Sequence, residues 1–243
     1  MFTLFRREIS NFLNNLTGYI VIGVFLIIMG LFLWVFPVEY NILLGGYAHL
    51  EGLFSLGPLV FLFLVPAITM RFFADEKKTG TIELLLTRPV TETGIILAKF
   101  FAGLVLVILA LIPTLVFFLS VHYLALPAGN IDHGGIWGSY IGLLLLGAGF
   151  VSIGLFASSL TDNQVVAFLI ALFLCGFSYL GFEMIYSLEW FGSLNLFIRD
   201  LGIHSHYLSL SRGVIDSRNL IYFFSLIVIF LLLTKIKLES RKW

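Results

Sequence analysis

Charged residues and cysteine are both scarce in this sequence. Only 12% of the 243 residues are charged and 60% are apolar, whereas a soluble domain carries about a quarter charged residues. This composition excludes an ordinary soluble core and predicts an all-α protein that crosses a membrane several times. The single cysteine, Cys175, excludes a disulfide within the chain and a zinc site of paired cysteines. The net charge of zero gives no reason to expect a nucleic-acid partner.

Sequence patterns typical of enzymes are also missing. No GxxxxGK[ST] loop is present to hold the phosphates of a nucleotide, and no HExxH pattern occurs in the apolar runs. We therefore expect this chain to bind no cofactor and to catalyse no reaction. Among acidic residues only Glu183 lies in an apolar run, near its end, and no Lys or Arg lies deep in one. Proton-coupled transporters depend on such charges, so their scarcity argues against a secondary transporter.

Six apolar stretches are candidates for membrane-crossing helices, which need about 20 residues, although the last stretch is short and the third is long enough to tilt or kink. They are Tyr19–Phe36, Leu53–Met70, Ile95–Tyr123, Gly138–Leu160, Val165–Phe182 and Leu220–Thr234. Pro58 and Pro66 interrupt the second stretch and Pro113 the third, where each removes a backbone donor. The fourth contains a series of glycines that lets another helix approach closely. That helix belongs either to the same chain, which we favour, or to a second copy.

The positive charges predict how the chain is oriented. Eleven of the fourteen Lys and Arg fall on one side of a six-span protein. They are Arg6, Arg7, Arg71, Lys77, Lys78, Arg88, Lys99, Lys235, Lys237, Arg241 and Lys242, and the five in the middle are assigned to the loop between spans 2 and 3. Because cytoplasmic loops carry the excess of positive charge, both termini and this loop are expected in the cytoplasm.

The loop at 71–94 contains a short polar segment, Asp75–Pro89, between two apolar runs. Gly80 and Thr81 are suitable starts for a helix of about two turns, and Glu83 in its first turn would complement the helix dipole. Four residues share one face of this helix, namely Ile82, Leu85, Leu86 and Pro89. The periodicity allows a passive helix on the membrane surface or a helix that docks on a partner.

Two further segments are too short or too interrupted to cross a membrane. Residues 1–18 place apolar side chains at helical spacing around Arg6 and Arg7, which predicts an amphipathic helix that contacts membrane lipid. Residues 187–218 are rich in apolar residues but broken by Gly192, Gly202 and Gly213. Irregular backbone at membrane depth must be covered by protein or water.

The loop residues resemble the ABC-2 type transporter permease family. The matching residues occur in order and at the expected place between spans 2 and 3: Glu76, Gly80, Thr81, Glu83, Leu85, Leu86 and Pro89. The resemblance implies the six-span architecture of type V exporters, with a coupling helix that fits a groove on a separate ATP-binding subunit. It also implies a second permease chain, an inner-membrane location, and ATP and magnesium bound by the partner subunit. Glu76 and Glu83 are then expected to meet polar or basic groups of that subunit.

A second motif extends the resemblance to the end of the chain. The run from Arg212 through Gly213 to Asp216 is similar to the Arg-Gly-Val-Ile-Asp signature of one branch of these permeases. That branch includes gliding-motility and nitrous-oxide-reductase maturation permeases, and the N-terminal run Phe5–Ile9 is closest to the gliding-motility subunits. The family resemblance implies outer-leaflet re-entrant helices within 187–218. The gliding-motility relation also leaves open a force-generating component that moves no substrate.

All five histidines fall on the predicted outer side: His49, His122, His133, His204 and His206. Imidazoles commonly bind copper and zinc, so a metal site is one interpretation. Ordinary interfacial histidines are the simpler one, because the pair His204 and His206 has no accompanying Met or carboxylate cluster.

Overall fold

The computed structural model describes residues 1–44, 46–81, 91–189 and 192–240. All regular secondary structure in these residues is helical, so the expected all-α class is confirmed. The α-helices of the described chain are α1 (Phe2–Leu13), α2 (Leu16–Gly30), α3 (Glu51–Thr69), α4 (Arg71–Lys78), α5 (Glu92–Leu111), α6 (Leu115–Leu124), α7 (His133–Leu160), α8 (Gln164–Gly176), α9 (Phe182–Ser187), α10 (Asn195–Leu201), α11 (Ile203–Leu210) and α12 (Ser217–Glu239).

Within the described residues, six helical stretches are long and apolar enough to cross a membrane. We number them spans 1 to 6: Gly18–Val35, Glu51–Lys78, Glu92–Leu124, His133–Leu160, Gln164–Ser187 and Ser217–Glu239. Each overlaps the corresponding predicted stretch, so the six-span prediction is confirmed. Because the spans alternate in direction, α1, α4 and the last turns of α12 lie at one end of the bundle, which we call the α4 end.

Three spans contain a change of helix type. A π-helical turn, Leu31–Val35, extends α2, and a second one, Phe177–Gly181, joins α8 to α9. A 3₁₀ turn, Ile112–Thr114, joins α5 to α6. This last interruption occurs at Pro113, as expected for a residue that cannot donate a backbone hydrogen bond.

Helix α7 is the centre of the bundle. Its most apolar part is 78% buried, against 22% for spans 1 and 5, and it packs on α3, α5, α8, α11 and α12. A Cβ on Gly142 would lie 2.6 Å from Leu210 Cβ, and one on Gly147 would lie 2.8 Å from Val107 Cγ1. The glycines of α7 therefore serve close packing within the chain, which is the interpretation that the sequence favoured.

Span 2 divides at Met70. Helix α3 carries the apolar part of the span, and α4 continues it with a turn rich in charge. The predicted end of the apolar run at Met70 therefore coincides with the change from α3 to α4. The helix continues about two turns further, which brings Glu76 into a defined position.

The N-terminal helix predicted within residues 1–18 is α1, and it packs against α5 at the α4 end. At the opposite end, α10 and α11 contain seven and eight residues. At 1.5 Å per residue the longer of these helices measures about 12 Å, too short to cross a membrane. Their depth in the outer leaflet, and the contact of α1 with lipid, stay predictions.

Candidate functional site

Three helices meet at the α4 end and bring four charged side chains together. Glu8 on α1 and Glu76 on α4 each place an Oε1 atom 3.1 Å from the Nζ atom of Lys99 on α5. Arg7 lies across the same two carboxylates, with Nη2 at 2.9 Å from Glu8 and 2.6 Å from Glu76. We call Arg7, Glu8, Glu76 and Lys99 the charge cluster.

Lys99 is the buried centre of the charge cluster, with a side chain that is 0% exposed. Its Nζ also donates to the Phe72 carbonyl at 2.6 Å, and it lies 5.1 Å from the ring centroid of Phe73. Three oxygens thus surround an ammonium group that carries three N–H donors. A buried charge is costly unless it is paired and hydrogen-bonded, and Lys99 meets both conditions.

Arg7 covers the charge cluster on its solvent side, where its side chain is 48% exposed. Partial burial alone would lower the pKa of Arg7, but the carboxylates of Glu8 and Glu76 outweigh it and raise that pKa above its ordinary value. Arg7 therefore stays charged throughout the pH range of a cell. The charge cluster holds two cations and two carboxylates in balance.

A cleft of about 340 Å³ opens beside the charge cluster, between α1 and α4. Its polar lining includes Arg7, Glu8, Arg71, Asp75 and Glu76. The cleft also reaches Thr79 and Thr81 at the end of α4. It gives this end of the bundle a polar recess directly next to the segment that the resemblance assigns to partner binding.

Ser158 of α7 caps α4 from a neighbouring helix. Its hydroxyl oxygen accepts the N–H groups of Phe73 at 3.0 Å and Ala74 at 3.1 Å, and its own proton goes to the Met70 carbonyl at 2.9 Å. The first N–H groups of a helix have no partner within the helix. The break at Met70 would leave two of them unpaired, and Ser158 provides their acceptor.

Two side-chain contacts fix the rest of α4. Gln164 of α8 donates to the Asp75 carboxylate, and Lys77 donates to the Ser159 carbonyl at the end of α7. Together with Ser158 and the charge cluster, these contacts hold α4 against α1, α5, α7 and α8.

Gly80 ends α4 in the left-handed region with φ +70°, and its N–H lies 3.2 Å from the Lys77 carbonyl. Glycine is favoured where a helix ends in this conformation. The Thr81 hydroxyl lies 2.9 Å from the Thr79 hydroxyl and 3.4 Å from the Glu76 carbonyl, so it also bonds to the end of α4. The remaining residues of the predicted coupling helix lie outside the described residues: Ile82, Glu83, Leu85, Leu86 and Pro89.

The structure corrects the position of Lys99. The positive-charge pattern predicts Lys99 in the loop between spans 2 and 3, but it is the eighth residue of α5, the helix that begins at Glu92. A lysine at the start of an apolar helix requires a partner charge, and that signal was present in the sequence. The sequence did not indicate which acidic residues pair with Lys99, because Glu8 is 91 residues away along the chain. Glu76 turns one oxygen into the charge cluster, and its contact with an ATP-binding subunit stays a prediction.

Arg212, Gly213 and Asp216 lie at the opposite end of the bundle. Gly213 has φ +79° and its N–H bonds the Leu210 carbonyl at 2.9 Å, which ends α11. Asp216 Oδ1 accepts the Arg218 N–H at 2.9 Å and caps α12. Arg212 is exposed and borders a cleft of about 450 Å³ with His49 and Glu51. Two residues of the motif therefore form the turn that leads into span 6.

The histidines of the opposite end contact protein groups. His206 Nδ1 lies 2.8 Å from Asn219 Oδ1, and Nε2 lies 2.9 Å from the Asp200 carbonyl. His204 lies 3.7 Å from Glu183. Among the described residues, no group of three or more His, Cys, Asp or Glu side chains converges as a metal site requires.

The comparison with known families covers most of the fold. The family described as ABC-2 family transporter protein matches residues 47–238, a range that includes α4, Lys99 and the turn before span 6. No curated protein matches the chain. ABC-2 permeases are membrane subunits and not themselves catalytic. With this match and six helices able to cross a membrane, the chain belongs to the ABC-2 transporter permease family.

Proposed function

We propose that this chain is the transmembrane subunit of an ABC complex in the bacterial inner membrane. A separate subunit binds ATP and magnesium and hydrolyses the ATP. This chain, with a second permease chain, uses the resulting movement for export or other conformational work. Residues 71–94 form the coupling element, both termini are cytoplasmic, and this chain binds no cofactor itself.

One observation carries this proposal: α4, which leads into residues 82–90, is fixed to four other helices. A loop that transmits movement must stand on a rigid base, because a flexible base would absorb the displacement. The charge cluster, Ser158 and Gln164 give α4 that base. A passive helix on the membrane surface would require none of these contacts.

The second permease chain has a suitable surface on this one. An apolar cleft of about 490 Å³ is bordered by α2 of span 1, α3 of span 2 and Phe168 of span 5. Its wall is almost purely hydrocarbon, which suits another helix or an apolar cargo equally. We assign these three spans to the subunit interface and expect them to change orientation when the coupling element moves.

The gliding-motility resemblance supports a narrower assignment, to the permease subunit called GldF. It rests on the Phe5–Ile9 run and on the motif from Arg212 to Asp216. This relation favours a second function for the same complex, in which ATP hydrolysis drives partner proteins and moves no substrate. Transport assays in vesicles that contain the complex separate the two, because only the exporter moves a cargo.

The proposal is tested by charge reversal in the coupling element. Glu83→Arg is expected to reduce co-purification of subunits that carry a GxxxxGK[ST] sequence, or to lower the ATPase activity of the purified complex about fivefold or more. Gly80→Pro is expected to act in the same way, because proline cannot adopt the φ of +70° found there. Both variants are purified by an affinity tag from native membranes, next to the parent chain.

Glu39→Arg is the matched control, since it makes the same charge reversal at an exposed position of the opposite end. It is expected to leave binding and activity unchanged. Unchanged co-purification and unchanged ATPase activity in both Glu83→Arg and Gly80→Pro would contradict the proposed function.

A further inference from the structure

Lys99 is a buried cation whose presence stability does not explain. Taking an ammonium and two carboxylates out of water costs free energy that their attraction repays only in part. Apolar residues of similar size are often as stable or more stable in such positions. The residues of α5 on either side of Lys99 are apolar, so this cluster calls for another reason.

The position of Lys99 relative to the coupling element supplies that reason. Helix α4 enters the loop and ends at Gly80, and α5 leaves it and begins at Glu92. Lys99 lies on α5 about 10 Å from its start, at 1.5 Å per residue. From there it contacts the Phe72 carbonyl and Glu76 of α4. The Lys99 side chain thus connects the two helices that precede and follow the loop, α4 and α5.

The same side chain also reaches α1. Its Nζ donates to Glu8 Oε1 at 3.1 Å, and Glu8 is itself buried. Helix α1 is separated from span 1 only by Asn14 and Asn15. The contacts from Ser158 and Gln164 tie α4 to α7 and α8 but do not touch α1. The charge cluster is therefore a polar link by which α4 holds the helix that leads into span 1.

We infer that Lys99 is a positioning residue that makes α1, α4 and the first turns of α5 move as one body. A displacement of the loop then reaches span 1 through α1, as well as spans 2 and 3 directly. The transfer of movement rests on the proposed function, whereas the existence of one body does not.

A charge-free variant separates this role from stability. Combining Arg7→Met, Glu8→Gln, Glu76→Gln and Lys99→Met removes all four charges of the cluster and replaces each side chain by an uncharged, unbranched one. The variant is expected to remain folded, because neutral replacement of a whole buried ion cluster is usually tolerated. If it aggregates, Glu76→Gln alone takes its place under the same criteria.

The first measurement is a distance between α1 and α4. Spin labels are attached at Arg6→Cys and Lys78→Cys, which are exposed, while the native Cys175 is buried. In lipid nanodiscs the parent chain is expected to give one narrow distance distribution by electron–electron double resonance. The charge-free variant is expected to gain a second, longer distance. A distribution identical to that of the parent would overturn the inference.

The second measurement is the ATPase activity of the affinity-purified complex. The charge-free variant is expected to co-purify with its ATP-binding subunit, but the ATPase activity of the complex is expected to fall about fivefold or more. Lys99→Arg, which keeps the charge and the donors, is expected to retain more activity than Lys99→Met. A longer distance together with full activity would refute the transfer of movement through α1.

The matched control removes an ion pair that joins no two helices. Lys235 and Glu239 lie 3.6 Å apart on α12, and both are partly exposed. Lys235→Met with Glu239→Gln is expected to leave the distance and the activity unchanged. If the parent chain itself co-purifies no ATP-binding subunit, the proposed function fails, and the distance measurement still decides whether Lys99 makes one body of the three helices.

Discussion

At the scale of single residues, Tyr207 replaces a hydrogen-bond donor that Pro58 removes from span 2. The N–H of residue 58 would bond the Phe54 carbonyl in a regular helix, but proline has none. The Tyr207 hydroxyl of α11 donates to this carbonyl at 2.7 Å, and both residues are buried. Helix α3 thus continues through Pro58 without the expected interruption, and the carbonyl that this proline leaves unpaired has its donor in the segment before span 6.

Tyr207→Phe is expected to lower the free energy of unfolding by about 1–3 kcal/mol, the cost of a buried carbonyl left without a donor. Denaturant titration of the detergent-purified protein measures it. Tyr222→Phe is the control, because its hydroxyl donates to the Leu201 carbonyl at 2.7 Å in an exposed place where water can substitute. In a Pro58→Ala background the penalty of Tyr207→Phe should shrink. If Tyr207→Phe lowers the free energy of unfolding equally in the parent and in the Pro58→Ala background, Tyr207 does not replace the donor that Pro58 removes.

Ser158→Ala removes the cap that α7 provides for α4. Two N–H groups and one carbonyl lose their partner, so we expect a loss of about 1–3 kcal/mol in the free energy of unfolding. Ser152→Ala on the same helix is the control, since its buried hydroxyl bonds only the Gly149 carbonyl of its own helix. Similar losses in the two variants, measured by denaturant titration, would refute the special role of Ser158.

At the scale of elements, the backbone conformation of Gly80 at the end of α4 restricts which residue can stand there. A Cβ on Gly80 would meet nothing within 4 Å, so only the φ of +70° opposes a side chain there. Gly80→Ala is expected to cost about 1–2 kcal/mol in the free energy of unfolding, and Gly80→Asn less, because asparagine tolerates this region. Gly134→Ala at an exposed helical position of α7 is the control without positive φ. A cost for Asn equal to that for Ala would contradict this explanation.

The elements themselves could be predicted from the sequence, whereas their connections could not. An apolar run such as Gly138–Leu160 is a local signal, and α7 covers it fully. The charge cluster joins Glu8, Glu76 and Lys99, which are far apart in the chain, and periodicity carries no information on which charges meet. The predicted third stretch, Ile95–Tyr123, contains Lys99, but the count of positive charges assigns this lysine to the loop, because the sequence carries no signal that it is buried. Only the packing of three helices makes its burial tolerable.

At the scale of the whole molecule, six crossings place α1, α4 and the end of α12 on one side of the membrane. Most of the lysines and arginines of the sequence belong to this side, and positive residues are retained in the cytoplasm. The charge cluster adds a reason for this orientation. Under the proposed function, its cations and carboxylates hold the base of the coupling element, which would then face the compartment that contains ATP.

This orientation can be tested with a thiol reagent that does not cross membranes. Single cysteines at Thr3, Thr79 and Ser240, all exposed at the α4 end, are expected to react only after the inner membrane of spheroplasts is permeabilised. A cysteine at Asn130, exposed at the opposite end, should react in intact spheroplasts. Cys175 is buried and provides a low background.

The pattern of labelling discriminates between two kinds of error. If all three α4-end positions react in intact spheroplasts, the orientation of the protein is the reverse of the predicted one, and residues 71–94 lie outside the cytoplasm. Reaction at only one terminus would mean that one apolar helix does not cross, and the termini would then lie on opposite sides. Protection of Thr3, Thr79 and Ser240 together satisfies both requirements. An even number of crossings puts the two termini on the same side, and a cytoplasmic α4 end is necessary for a partner that hydrolyses ATP to reach residues 71–94.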